Sequence, residues 1–246
     1  MISSIRFRLF WLQRGVFFLK SSSFRVRSVR VNGRRIRLAH PPGEAAEMDH
    51  EFKQIVYDDC YGLRKAGGQI ARIVDVGANI GLFSIAAKMA FPAAGVQCYE
   101  PNPDLHPILH SHLDPLGVEI FGEAVGAAEG TVNLRFGNGS LHTRTEDSEN
   151  GLTRRSSMRT VLERAGGNID LLKLDCEGAE WEILDNPMWA GKVRHIVMEY
   201  HLWARPGSSI LDLVAILHEL GFRVTHLHEN EKLEWGLLHA TSNPQR

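Results

Sequence analysis

Residues 73–81 read Ile73-Val74-Asp75-Val76-Gly77-Ala78-Asn79-Ile80-Gly81, a short apolar run that breaks into glycine-spaced residues, and Glu100 closes the next apolar run. Glycine lets backbone N–H groups approach a ligand with no Cβ in the way, and an acid one strand later can accept both hydroxyls of a ribose. Such a strand–turn–helix start with an acid at the next strand end is a nucleotide site. A dinucleotide fingerprint begun at Gly77 needs glycine at 79 and 82, where the chain has Asn79 and Leu82. The spacing acid-x-Gly-x-Gly-x-Gly fits better, with Asp75, Gly77 and Gly81 in place and Asn79 at the remaining position. Asn is the most tolerated substitute where left-handed backbone is required. This pattern favours S-adenosylmethionine over NAD. The methionine-bearing nucleoside has no pyrophosphate to seat on a helix N-terminus, and Asp75 is placed to attract its ammonium group.

Outward from this stretch, the pattern alternates. Strands are expected over 70–76, 96–100, 118–121, 131–136, 169–174 and 193–199, and helices over 82–90, 103–113, 159–165, 179–185 and 209–220. This order means a parallel sheet with right-handed crossovers. Two closing strands over 223–228 and 233–239 have no helix between them, so the last enters the sheet antiparallel. Residues 137–157 are polar, carry glycine and show no periodicity, which reads as a mobile loop. Ahead of the sheet, Asn32-Gly33 inside the alternating run 25–39 signals a tight β-hairpin, and a helix is expected over 44–63. The expected architecture is a Rossmann-like α/β sheet domain over 67–246, preceded by a basic segment with hairpin and helix over 1–66.

The chain has 246 residues, 43% of them hydrophobic and 23% charged, which suits one large soluble α/β domain. The net charge of −1 argues against whole-surface attraction to nucleic acid. It hides an asymmetry, because no acid precedes Glu44 while Arg6, Arg8, Arg14, Lys20, Arg25, Arg27, Arg30, Arg34, Arg35 and Arg37 do. Between Arg6 and Lys20, cations alternate with Phe7, Leu9, Phe10, Trp11, Phe17 and Phe18. That segment either packs on its own domain or lies peripherally on an anionic membrane, and the first is the simpler expectation. No apolar stretch is long enough to span a bilayer. Cys60, Cys98 and Cys176 are odd in number and not set out as a disulfide framework, which suits a reducing cytoplasm.

A second motif follows a buried-looking strand: Asp170-Leu-Leu-Lys-Leu-Asp-Cys-Glu-Gly-Ala-Glu180. Ligands of open α/β sheets bind at the carboxyl ends of strands, so Asp175 and Glu177 are candidate site residues, while Glu180 can serve a helix N-terminus. Beyond the next strand, Glu199 and His201 reach the same edge, where a neutral imidazole could take a proton near pH 7. His106, His110 and His112 lie close in sequence, but no acid completes a metal site there, so surface roles are expected. Trp181, Trp189, Trp203 and Trp235 are expected in the core or in the cleft wall.

With these stretches in hand, the chain resembles the FkbM-type family of S-adenosylmethionine-dependent methyltransferases. The resemblance is carried by Asp75 to Gly81, Tyr99-Glu-Pro-Asn-Pro103, Glu123-Ala-Val-Gly126, Asp170 to Glu180 and Glu199-Tyr-His201, in that order. It implies a seven-stranded cofactor-binding sheet and O-methylation of a hydroxyl on a sugar, glycan, polyketide or similar small molecule. It also implies that Gly77, Ala78, Asn79 and Gly81 line the methionine end, that Glu100 holds the ribose and that Glu123, Ala124 and Val125 flank adenine. Asp175 and Glu177 are then assigned to orienting the acceptor, with a divalent cation an option rather than an expectation, and His201 to general base, with Glu199 holding or replacing it. Cys176 stands where the family usually has a branched aliphatic residue. Ser157-Met158-Arg159 replaces a common Ser-Leu-Asp, inverting a charge expected near the acceptor. RNA methylation and a noncatalytic module at a membrane are the rival readings. The acids at 75, 100, 175 and 177 favour the enzyme, and the Asp-Cys-Glu-Gly turn differs from the turns of base-targeting enzymes.

Overall fold

The computed structural model describes residues 25–137, 143–148, 150–230 and 234–243, together with Trp11, Gln13 and Arg14. The remainder of the Arg6–Lys20 segment and Leu233 lie outside the described residues. Among the described residues no helix is long and apolar enough to cross a membrane.

A hairpin, β1 (Ser28–Val31) and β2 (Arg34–Arg37), turns through Asn32 and Gly33, both at positive φ as a two-residue turn of this kind requires. Helix α1 (Ala45–Glu51) follows and runs into a wide π-helical segment over Phe52–Tyr57. It stops there rather than at 63, and Asp59, at φ +61, takes the chain out and accepts from the backbone N–H of Leu63 at 2.8 Å.

The central sheet is built from β3 (Arg72–Val76), β4 (Gly95–Tyr99), β5 (Glu119–Phe121), β10 (Ile169–Leu174), β11 (Val193–His201), β12 (Phe222–Asn230) and β13 (Trp235–Ser242). Its spatial order is β12-β13-β11-β10-β3-β4-β5, parallel throughout except for β13, which is antiparallel to both neighbours. Strands β3 and β10 are neighbours in space and far apart in sequence. Their successors leave in opposite directions, which opens a crevice at their carboxyl ends. Helices α2 (Leu82–Ala90), α3 (His106–Leu113), α5 (Glu180–Leu184) and α6 (Ile210–Glu219) form the crossovers. Their apolar faces fill two clusters of buried side chains. Ser209 caps α6 in a reciprocal box with Asp212.

The expected loop over 137–157 is a correction. It contains β8 (Thr143–Asp147) and β9 (Thr153–Ser157), which join β6 (Ala124–Gly126) and β7 (Gly130–Phe136) in a second sheet of order β6-β9-β7-β8 ahead of α4 (Met158–Arg164). Thr-Arg-Thr-Glu-Asp and Thr-Arg-Arg-Ser-Ser contain no apolar residue, so no apolar alternation marks them. Cross-strand charge, such as the Arg135–Glu146 pair, takes its place.

The buried cluster on one side of the sheet also contains Trp11, Val29, Ile36, Met48 and Phe52 alongside Ile73, Phe83 and Leu109. Trp11 is 1% exposed and packs edge-on to Phe52 and at 5.3 Å from Tyr57. The backbone N–H of Arg30 donates to the carbonyl of Arg14 at 2.9 Å. These contacts tie part of the basic segment into the core. Removing a buried tryptophan ring typically costs about 3–5 kcal/mol. Trp11→Ala should therefore lower the free energy of unfolding in urea by that order, and a change below about 1 kcal/mol would show that Trp11 does not pack as described.

Candidate active site

A cavity of about 420 Å³ lies at the carboxyl ends of β3, β4, β10 and β11, within the size range of small-molecule sites. Gly77, Ala78, Asn79, Glu100, Glu123, Ala124 and Val125 line one half of it, and Asp175, Glu177, Glu199 and His201 the other.

The two halves meet at Gly77. Its φ is +77°, and a Cβ there would stand 1.7 Å from the carbonyl oxygen of Asp175, so no residue with a side chain can occupy the position while the turns after β3 and β10 touch. Asn79 takes the left-handed conformation at φ +49° and donates its N–H to Glu100 Oε2 at 2.7 Å. Glu100 Oε1 accepts the N–H of Asn102 at 2.9 Å. Burial pushes the Glu100 carboxyl up to about 7, against these two donors, which hold it down. Each oxygen keeps a second lone pair for a ligand. Glu123 is held by Arg164, at 2.8 and 3.2 Å, and by Ser156. Burial opposes ionisation of Glu123, yet these donors keep its carboxyl below the usual range. Arg164 in turn lies 4.3 Å over the Phe121 ring, which stacks on Tyr99.

Two expected cofactor residues fall elsewhere. Asp75 is fully buried behind the wall, where its Oδ2 accepts from Ser84 at 2.7 Å and its Oδ1 pairs with Lys173 at 3.2 Å, so it has no face for an external ammonium. Gly81 caps α2 at φ +85°, and a Cβ there would meet Leu109 and Leu113 at 2.9–3.0 Å, so it serves helix packing.

Lys173, which the sequence reading passed over, is 3% exposed and reaches Asp75, Asp175 at 3.4 Å and the carbonyl of Val76 at 3.2 Å. Burial alone would lower its pKa, but Asp175 and Asp75 hold it well above the ordinary lysine value. Tyr61 donates to Asp175 Oδ2 at 3.3 Å. Glu177 adopts φ +52°, uncommon for a residue with a side chain, ahead of Gly178 at +107°. Glu180 is 1% exposed and accepts from the N–H groups of Cys176 and Gly178 at 2.7 and 2.9 Å.

His201 ends β11 in a ring of acids. Its Nδ1 lies 3.3 Å from Glu180, and its Nε2 lies 3.6 Å from Glu199 and 3.9 Å from Glu177. Burial would depress its pKa, but Glu180, Glu199 and Asp175 outweigh that and push it up to about 11. At neutral pH the ring is already protonated, so it has no lone pair with which to act as general base. Another acid had no sequence signal beyond a helical pattern. Glu51, at the end of α1, lines the cavity, and burial followed by the charges of Asp175 and Glu199 pushes it up to about 7.

Other expectations sort by position. Trp203 and Trp235 line the cavity, and Trp181 and Trp189 are buried. Arg144 of β8 lies 3.7 Å over Trp203, closing the cavity from the second sheet. Arg159 does not line the cavity and reaches Met188 instead, so the Ser157-Met158-Arg159 departure bears on the capping of α4 rather than on the acceptor. His106, His110 and His112 bond to the carbonyl of Glu100, to Asp114 and to the carbonyl of Ile80, three separate partners.

The chain matches the methyltransferase FkbM domain over residues 75–224. It is 30% identical to methyltransferase sdnD of Sordaria araneosa, across 81% of this chain and 90% of that one. It is 25% identical to 31-O-demethyl-FK506 methyltransferase FkbM of Streptomyces tacrolimicus, across 73% and 84%. Among solved structures it is similar in fold to magnesium protoporphyrin IX methyltransferase ChlM of Synechocystis PCC 6803, at 14% identity and TM-score 0.50, across 83% and 86%.

Because the folded pKa of His201 stands above its unfolded value near 6.5, the stabilisation it gives is complete below about pH 6.5 and is lost as pH rises toward 11. In protein freed of metal by chelation, stability should fall between pH 7 and 10, and His201→Gln should flatten that slope. Urea unfolding across this range checks it. Equal slopes in the two proteins would return the ring to an ordinary pKa.

Proposed function

The chain belongs to the methyltransferase FkbM domain family, and from that premise we propose that it moves a methyl group from S-adenosylmethionine to a hydroxyl of a small-molecule or glycan acceptor. One observation carries the reading: a glycine turn with a ribose-facing acid and a cluster of carboxylates form the two halves of one cavity, in contact at Gly77 and Asp175. The Gly77-Ala78-Asn79 turn lining the cavity and the spare lone pairs of Glu100 fit the nucleoside. The relative from Streptomyces tacrolimicus, by its name, methylates a demethylated oxygen. The unpaired cysteines at 60, 98 and 176 suit a reducing cytoplasm.

The donor supplies a methyl on positively charged sulfur, and the S–CH₃ bond breaks with its electron pair returning to sulfur as the acceptor oxygen forms the new bond. The chain's own residues must align that oxygen and remove its proton. Gly77, Ala78 and Asn79 shape the methionine end, Glu100 holds the ribose hydroxyls, and Glu123, Ala124 and Val125 bound the base. Asp175, Glu177 and Glu199 orient the acceptor from the strand ends. The proton goes to Glu51. That carboxylate faces the same cavity, and among the described residues no cation stands within ion-pair distance of it, whereas Lys173 engages Asp175 and His201 engages Glu199.

Two variants test the two halves. Charge-assisted hydrogen bonds contribute about 1.5–3 kcal/mol each, so Glu100→Ala should weaken S-adenosylhomocysteine binding at least tenfold by calorimetry. Unchanged affinity in a folded variant would remove Glu100 from the site. Glu51→Gln should lower kcat by about 10²- to 10⁴-fold, the usual range for a general base, with S-adenosylhomocysteine affinity unaltered and the neutral limb of the pH–rate profile gone. A variant that kept its full rate would exclude Glu51 as the proton acceptor.

A further inference from the structure

The acceptor half of the cavity gathers Asp175, Glu177 and Glu199 with Glu51 on the facing helix, and Lys173 and His201 are the cations in ion-pair contact with these acids among the described residues. Lys173 is committed to Asp75, Asp175 and backbone carbonyls. Within this set, one donor atom each from Asp175, Glu199 and His201 lie within 4.8 Å of one another, brought there by the ends of two adjacent parallel strands.

The imidazole has the disposition of a metal ligand. Its Nδ1 faces Glu180, whose two oxygens are fixed by the N–H groups of Cys176 and Gly178. A carboxylate on the far nitrogen is the usual means of aiming a ligating histidine. The other nitrogen, Nε2, belongs to a side chain only 5% exposed, and its nearest acid oxygens, at 3.6 and 3.9 Å, lie beyond hydrogen-bond length. A buried nitrogen is thus aimed between two carboxylates, within ion-pair distance of both.

We propose that Asp175, Glu199 and His201 bind one divalent cation that takes the oxygen of the acceptor hydroxyl on its open face. The proposal rests on the reading above that this half of the cavity receives the acceptor. Two carboxylates and one imidazole suit an oxygen-preferring ion of the manganese or magnesium type, whose bonds of about 2.0–2.2 Å are reached by small rotations of the three side chains. Three protein ligands leave positions for water and the acceptor. Ligation replaces the proton that Nε2 carries in the metal-free protein. A bound cation lowers the pKa of an oxygen it holds, so the hydroxyl would give up its proton to Glu51 more readily.

Tag-free protein stripped with EDTA and titrated with Mn²⁺, followed by loss of the free-ion electron paramagnetic resonance signal, tests the site. Wild type and the surface control His110→Ala should bind the ion equally. Glu199→Gln and His201→Gln, both close to isosteric, should each bind it at least tenfold more weakly while melting cooperatively. Absence of Mn²⁺ binding in wild type, or unchanged affinity in both cavity variants, would overturn the proposal. Calorimetry with S-adenosylhomocysteine on the same samples separates the two ideas. If wild type binds the nucleoside but not Mn²⁺, the ion site alone fails, and if it binds Mn²⁺ at these residues but not the nucleoside, the methyl-donor reading fails.

Discussion

Everything at the cavity depends on a buried ammonium. Lys173 sits inside β10 with no exposure to speak of, between Asp75 of β3 and Asp175 at its own strand end, and it donates to the carbonyls of Val76 and Gly77. It binds the strand that starts the glycine turn to the strand that starts the acidic turn, across the point where the sheet changes direction. Charges in such surroundings are costly to desolvate and are tolerated only when paired and hydrogen-bonded. Taking away the ammonium would leave the buried Asp75 carboxylate without its counter-charge, a loss of about 3–5 kcal/mol in comparable cases. It would also release the carbonyls that set the approach of Gly77 to Asp175. The pairing therefore acts as a register pin as much as a stabilising contact.

This explains why part of the site was legible in the sequence and part was not. A turn that must pass within touching distance of another backbone demands glycine, so the places of Gly77 and Asn79 in the turn, and of Glu100 at the next strand end lining the cavity, could be read from residue type and spacing alone. Asp75 has the same chemistry as Glu100 and the opposite fate, because what separates them is a partner nearly a hundred residues away. A lysine within an apolar strand carries no motif, and its meaning appears only when β3 lies beside β10. His201 was located at the strand end but read as a neutral base, while the acids around it raise its pKa. Sequence places it next to Glu199, whereas Glu180 and Asp175, which raise its pKa together with Glu199, follow the neighbouring strand.

The remaining misreadings share a cause. Hydrophobic periodicity is the signal, and β8 and β9 carry no apolar residue, so these polar strands read as loop. Glu51 reads as one more acid on an amphipathic helix. It becomes a site residue because the helix runs on through Phe52–Tyr57 with widened turns, anchored beneath by Trp11, and lays its acidic side over the strand ends. The parallel sheet itself was the easiest part to read, since alternation of strand and helix signals is enforced by burial on both faces.

The distribution of charge across the cavity gives the halves different tasks. On the cofactor side each carboxylate is satisfied from within, Glu100 by backbone N–H groups and Glu123 by Arg164, so these residues offer fixed acceptors and little net field. On the proposed acceptor side the acids outnumber the cations, and two of them, Glu51 and Glu199, are held above the usual carboxylate range by burial and by the charge of Asp175. A site of that kind is stabilised by whatever brings positive charge to it, and it resists the approach of an anion. In a displacement at a sulfonium, positive charge leaves the sulfur as the methyl moves, while the acceptor oxygen gains it and must shed a proton. A negative field on the oxygen's side of the transferring methyl favours that redistribution, and the contact between Gly77 and Asp175 sets how close the two sides can come.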